Sequence, residues 1–276
     1  MHLSPLLTLY SNAWVTLPSH DPLRTQRGPV GAVPGGGGHL GGVNAVAGGG
    51  SLVSFPILVA AGVPSVVASA TNTAAQWPGG IAGAWGLRER LPSAKDNLRL
   101  LFLPTLFGAL LGAWALTLTD AKLFDQLVPG LILVATVILA LKPQLSAWCR
   151  NLPRAALWAV LVQFLVAVYG GYFGAGMGIL MLAVLGLIHP GDLHDANALK
   201  NVLGLLINFS AAVLLVVQGL VRWEPALALA IGSVLGGYGA ARGSLRINPE
   251  TLRWVIVGYG VLMGGWFAYQ ALWAPR

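Results

Sequence analysis

Charge is scarce in this chain. Only 9% of its 276 residues are Asp, Glu, Lys or Arg, while 56% are hydrophobic; a soluble domain carries roughly 25% charged residues. The scarcity excludes a soluble globular protein and predicts an all-α, polytopic membrane protein. The length allows about eight transmembrane helices of roughly 20 residues joined by short connections. No sizeable soluble domain fits beside them, so any chemistry sits among the helices. Cysteine is almost missing too. A lone Cys149 excludes an intrachain disulfide and a multi-cysteine metal site, and it reads as filler.

Carboxylates are missing from the membrane. All nine acidic residues, Glu89, Asp125 and Asp195 among them, fall in predicted loops or at span ends. Cation and proton-coupled transporters place carboxylates in the membrane as ligands or relays, so this distribution points away from metal cations and from a carboxylate proton relay. The net charge of +7 raises nucleic acid as a partner. The Lys and Arg residues, however, are spread through connecting loops rather than clustered on one face, and membrane topology accounts for them. No nucleic acid is expected. No Gly-x-Gly here follows a strand or precedes a Lys-Ser/Thr pair, which excludes a nucleotide-binding loop. An enzyme would need a nucleophile with its base, or a metal cluster, and the sequence offers neither. No cofactor, catalytic residue or metal site is assigned.

Glycine is plentiful instead. Tyr169 to Ile179 reads Tyr-Gly-Gly-Tyr-Phe-Gly-Ala-Gly-Met-Gly-Ile, and Gly48-Gly49-Gly50-Ser51 forms a second run. Each is followed by an apolar segment bearing Asn: Asn197 to Asn201 after the first, Asn72 after the second. Backbone that leaves a helix inside the bilayer must be covered by protein or line a wet cavity. Paired interruptions in two halves of a membrane protein point to a transporter's substrate site.

Spans are expected at Gly41 to Ala61, Val66 to Leu87, Leu98 to Leu118, Leu127 to Leu141, Ala196 to Gln218, Pro225 to Ala241 and Trp254 to Trp273. Ala155 to Ile188 is one apolar region of 34 residues. A straight helix of that length would measure about 50 Å against a hydrocarbon core of about 30 Å, so a fold-back at Gly170-Gly171 is expected. The basic loops agree. Those holding Arg88 to Arg99, Lys142 to Arg154 and Arg242 to Arg253 all fall on the cytoplasmic side only if that region is a hairpin.

The two halves superpose. Gly48 and Gly50 match Gly174 and Gly176, Asn72 matches Asn201, and Gly108 and Gly112 match Gly232 and Gly236, at offsets of 126, 129 and 124 residues. The last two pairs have the small-xxx-small spacing of close helix contacts. We read two inverted repeats, 43–141 and 155–273, with Gly-rich broken or re-entrant helices and a basic cytoplasmic loop at 142–154. Residues 1–42 stand apart. Their apolar patch is broken by Pro5 and Pro18 and lacks the flanks of a signal peptide. They are expected to be irregular, either disordered or the product of a shifted reading frame.

At these residues the chain resembles the sulfite exporter TauE/SafE family, also described as probable membrane transporters. The resemblance rests on the Tyr169 to Ile179 motif with Asn197-Ala-Leu-Lys-Asn201, and on Ala47 to Pro56 with Ala70 to Thr73. It covers Val43 to Ala268 and departs before Val43, where the family has a first apolar helix. It implies a multi-pass permease of the bacterial inner membrane that moves small sulfur-containing or related organic anions.

The residues inside the membrane suit an anion independently of that likeness. They are neutral or positive, and new helix N-termini at the breaks would add backbone N–H groups. The candidate substrate-binding residues are Gly48, Gly49, Gly50, Ser51, Thr71, Asn72, Gly174, Gly176, Asn197, Lys200 and Asn201. Bland readings stand beside them. Lys200 could compensate substrate charge or snorkel to the interface; Asn72 and Asn201 could bind substrate or join helices; the glycines could serve packing alone. His189 and His194 with Asp192 and Asp195 read as a solvated connector rather than a metal site. The lipid bilayer and a small anion are the expected partners, with a homo-oligomer left open. The rival classes are a non-transporting membrane partner subunit and a membrane-embedded enzyme.

Overall fold

Where lipid replaces water, a chain must satisfy its backbone N–H and C=O groups within its own helices, and the helix is the only regular element among the described residues. The structure, a computed structural model, describes residues 50–89, 91, 95–141, 144, 155–188, 193–241 and 249–273. The chain divides into two units, Met1–Gly31 and Ala32–Arg276, and every described residue belongs to the second. Gly48, Gly49, Trp148, Cys149, His189 and Asp192 lie outside the described residues.

The helices are α1 (Gly50–Ala60), α2 (Ser65–Gly86), α3 (Lys95–Leu118), α4 (Ala121–Ala140), α5 (Ala155–Tyr172), α6 (Met177–Ile188), α7 (Leu193–Val217), α8 (Trp223–Ala241) and α9 (Pro249–Trp273). Lys95–Leu118, Ala121–Ala140 and Asp195–Val217 are long and apolar enough to cross a membrane; Ser51–Ala60, Ala156–Tyr172 and Trp223–Leu235 are shorter apolar helices. Large apolar side chains face outward, for example Phe107 and Trp114 on α3, Leu165 on α5 and Leu262 on α9. In water so much exposed apolar surface would drive aggregation; in hydrocarbon it is the expected outer face. The chain is a multi-pass membrane protein.

Several helices start earlier than hydropathy predicts. α4 begins at Ala121 rather than Leu127, because the Asp120 carboxylate caps it by accepting from Leu123 N at 2.7 Å. α9 begins at Pro249 rather than Trp254, with proline in the first turn, where its missing N–H costs nothing. Hydropathy marks where apolar residues begin, whereas capping marks where the helix begins.

The fold-back is real but is not at Gly170-Gly171. α5 continues through both glycines to Tyr172, and the break is Phe173 to Gly176. The physical reason is packing. A Cβ on Gly171 would collide with the Ala109 carbonyl, and one on Gly108 would come within 2.6 Å of the Phe164 carbonyl. Gly108, Gly112 and Gly171 let α3 and α5 touch backbone to backbone, as small-xxx-small spacing allows. Within this motif, left-handed backbone is found at Gly174 and Gly176, each with φ of 75°.

Side-chain pairings fix the helix directions. Thr105 meets Gln163 while Gly112 meets Val168 and Tyr172, so α3 and α5 run parallel. Trp77 meets Phe209, Gly80 meets Leu205 and Gly83 meets Asn201, so α2 and α7 are antiparallel. Thr71 meets Arg222 and Gly79 meets Ser233, so α2 and α8 are parallel; Thr136 meets Gly260 and Leu133 meets Gly264, so α4 and α9 are antiparallel. Consequently α5, α7 and α9 all start at the end of the bundle where α2, α4 and α8 finish. The region 155–188 goes out and comes back.

Candidate functional site

The break at Phe173 to Gly176 is enclosed by three helices. Thr73 Oγ1 of α2 lies 3.9 Å from the position a Cβ would take on Gly174. On Gly176 a Cβ would lie 3.0 Å from Ala135 of α4 and 3.9 Å from Leu52 in the first turn of α1. The Leu52 side chain in the first turn of α1 thus reaches the residue that precedes α6. A first turn carries N–H groups without helical carbonyl partners, and the macrodipole adds positive potential.

Polar side chains gather around this junction. Ser54 Oγ donates to Asn72 Oδ1 at 2.6 Å, and Gln76 Nε2 approaches the same oxygen at 3.5 Å. Ser69 Oγ donates to the Tyr172 carbonyl at 3.2 Å, and Tyr169 Oη donates to the Ala175 carbonyl at 2.6 Å. Ser51, Ser54, Ser69, Asn72, Thr73 and Gln76 are all buried. A buried polar group costs stability unless it is paired, so this concentration of hydroxyls and amides in an apolar bundle marks a polar hollow or a hydrogen-bonded clamp on the break. Beside it the rings of Phe55, Phe124 and Phe173 pack edge to face, Phe55 and Phe173 at 5.0 Å between centroids, and close the apolar side.

The sequence-predicted residues fall into two groups. Ser51, Asn72, Gly174 and Gly176 come together here, with Gly50 at the start of α1. Thr71 is close by, but its Oγ1 accepts from the Arg222 backbone N–H at 3.0 Å, tying the start of α8 to α2. Asn197, Lys200 and Asn201 lie near the start of α7. The Asn201 amide packs on Gly83, eleven residues along α2 from Asn72, which is about 16 Å of helix. Asn72 and Asn201 therefore do not converge on one point. Lys200 is buried, at 3% exposure. Asn197 Oδ1 is buried without a hydrogen-bond partner among the described residues.

Reasoning from sequence missed Ser69, Tyr169 and Ser233. Tyr169 lies inside the glycine-rich motif, yet only folding shows that its hydroxyl holds the break. Ser233 Oγ donates to the Ala75 carbonyl at 3.0 Å, three residues before Pro78. A signal existed: Ser233 adjoins Gly232, and a proline within a membrane helix calls for a neighbouring hydroxyl.

The family model described as sulfite exporter TauE/SafE matches residues 34–267. The chain belongs to the TauE/SafE family. The glycine-rich break lies within the matched residues. A "Probable membrane transporter protein" of Haemophilus influenzae is 25% identical over 233 residues, covering 84% of this chain and 91% of that protein. The "Probable membrane transporter protein YfcA" of Escherichia coli K12 is 26% identical over 231 residues, covering 83% and 86%. "Probable membrane transporter protein ORF9" of a Sinorhizobium species is 27% identical over 224 residues, covering 75% and 82%. No solved structure matches this TauE/SafE chain. The family match begins at residue 34, nine residues upstream of Val43.

Proposed function

We propose that this protein is a secondary permease of the bacterial inner membrane that moves a small anion, such as sulfite, an organosulfonate or a related organic anion, by alternating access. The observation that carries the reading is the break before α6, touched by the first turn of α1 and ringed by hydroxyl and amide groups. Donors and positive helix ends recognise negative charge. Both hydrogen bonds to Asn72 use its amide oxygen, so its NH2 group is the part suited to an anion. Buried Lys200 adds positive charge nearer the other end of the bundle.

The pairing of helices supports an inverted repeat. The counterparts α2 and α7 run antiparallel, as do α4 and α9, and the contact of α2 with α8 is matched by that of α7 with α3. α1 and α6, of 11 and 12 residues, each span about half of a roughly 30 Å core. On this reading the Asn72 and Asn201 groups are equivalent half-sites on opposite sides of the repeat axis, visited in turn.

The test is counterflow of sulfite, thiosulfate, taurine and sulfoacetate in proteoliposomes. Uptake of at least one, reduced tenfold or more by Asn72→Ala or Lys200→Ala, is expected. Absence of flux for every anion, in protein that remains folded, overturns the permease reading; flux indifferent to both substitutions removes the site while leaving the transporter class.

A further inference from the structure

On the outer surface, α2, α3 and α7 enclose a groove of about 350 Å³ lined by apolar side chains, among them Trp77 and Ile81 of α2, Leu98 and Phe102 of α3, and Leu205 and Phe209 of α7. It runs from the Trp77–Phe209 edge contact, in the middle of the bundle, to Leu98 in the first turn of α3. From Trp77 to Trp85 α2 rises about 12 Å, which matches the depth of one leaflet in a hydrocarbon core of about 30 Å.

The groove ends in positive charge. On α2 the positions 77, 81 and 85 follow helical spacing along one face, so the stripe that supplies Trp77 and Ile81 continues to Trp85, and Arg88 follows just beyond the end of the helix. Arg88 lies over the Trp85 ring at 4.9 Å. On α3 the positions 95, 98, 99 and 102 do the same, so Leu98 and Phe102 share their face with Lys95 and Arg99. Both walls therefore finish in exposed cations at the same end of the bundle. Glu89 and Asp96 share that end, and Asp96 sits 3.8 Å from Arg99 with both side chains exposed. Such a pair is weak in solvent; Asp195 in the first turn of α7 is a third carboxylate at that end but is partly buried, so Arg88, Lys95 and Arg99 are left exposed to an anion.

An apolar slot one leaflet deep with cations at its rim fits a single kind of occupant. We propose that the groove is a binding site for an anionic phospholipid, one acyl chain lying against Ile81, Phe102 and Leu205 and the phosphate held by Arg88, Lys95 and Arg99. Water cannot fill the slot favourably, and a zwitterionic lipid gains less from the rim. Each Lys or Arg near an anionic headgroup strengthens its binding about fivefold.

The experiment titrates the purified full chain in detergent with phosphatidylglycerol and with phosphatidylcholine of identical acyl chains, reading the thermal unfolding midpoint. Phosphatidylglycerol is expected to raise it by about 5 °C at saturation, and phosphatidylcholine to raise it far less. The exposed pair Lys95→Gln/Arg99→Gln, which leaves the core intact, is expected to weaken the phosphatidylglycerol effect about 25-fold in concentration. Phosphatidylglycerol brominated in its acyl chain is expected to quench tryptophan emission, and Trp77→Phe to lose part of that quenching. Equal shifts from both lipids, or selectivity unchanged in the double variant, overturn the proposal. So does bromine quenching that Trp77→Phe leaves unaltered, because the chain then lies elsewhere.

Discussion

At the scale of the residue, glycines with the same side chain do three different jobs. Gly174 and Gly176 supply left-handed backbone; Gly108, Gly112 and Gly171 supply room for a neighbouring backbone; a Cβ on Gly130 meets nothing within 4 Å. Substitution by alanine separates them. Gly176→Ala should destabilise by about 1–2 kcal/mol from its φ alone, more if Ala135 cannot yield. Gly130→Ala should be neutral or stabilising by about 0.5–1 kcal/mol. Thermal unfolding in detergent reads both, and equal effects at the two positions would refute the distinction. Asn72 gives a sharper contrast. Asn72→Asp keeps an oxygen for Ser54 and Gln76 while setting a negative charge at the break. Anion flux should therefore fall further in Asn72→Asp than in Asn72→Ala, although the aspartate variant keeps more of the native hydrogen bonding.

At the scale of the element, α2 is the unusual helix. It carries Pro78-Gly79-Gly80 at its centre, where α7 and α8 cross it. Proline removes one helix hydrogen bond, and Ser233 donates to the Ala75 carbonyl three residues before it. Because α2 bears Asn72 before the Pro-Gly-Gly stretch and packs against Asn201 after it, that stretch joins the two polar groups. Ser233→Ala should cost about 0.6 kcal/mol, the average for such bonds between membrane helices, while Ser233→Thr retains the donor. The midpoint of thermal unfolding distinguishes them. An alanine variant as stable as the parent would mean that the proline stretch needs no outside donor.

At the scale of the whole molecule, the helix directions put the ends flanking 88–99, 142–154 and 242–253 on one side. The charge rule makes that side cytoplasmic, and the chain's only cysteine reports on it. Cys149 should react with a membrane-impermeant maleimide in inverted vesicles but not in intact cells. Gln218→Cys in a Cys149→Ser background should show the opposite pattern. Labelling of both from one side would contradict the hairpin at 155–188, since a single crossing there reverses everything downstream.

The family was legible in the resemblance of the Tyr169 to Ile179 motif, while length, hydropathy and glycine spacing were enough to read a helical membrane protein and the need for Ala155 to Ile188 to double back. Those properties follow from local transfer free energies and from the fixed thickness of a bilayer, which each segment meets by itself. Which glycines turn the chain was not legible. Gly170-Gly171 and Gly174 to Gly176 are equally good candidates until Ala109 of α3 claims the space beside Gly171. Likewise, Asn72 and Asn201 look like partners in sequence, and only the antiparallel crossing of α2 and α7 sets them about 16 Å apart along α2. Contacts between segments distant in the chain decide such matters, because packing space is allotted by neighbours and not by the residue that occupies it.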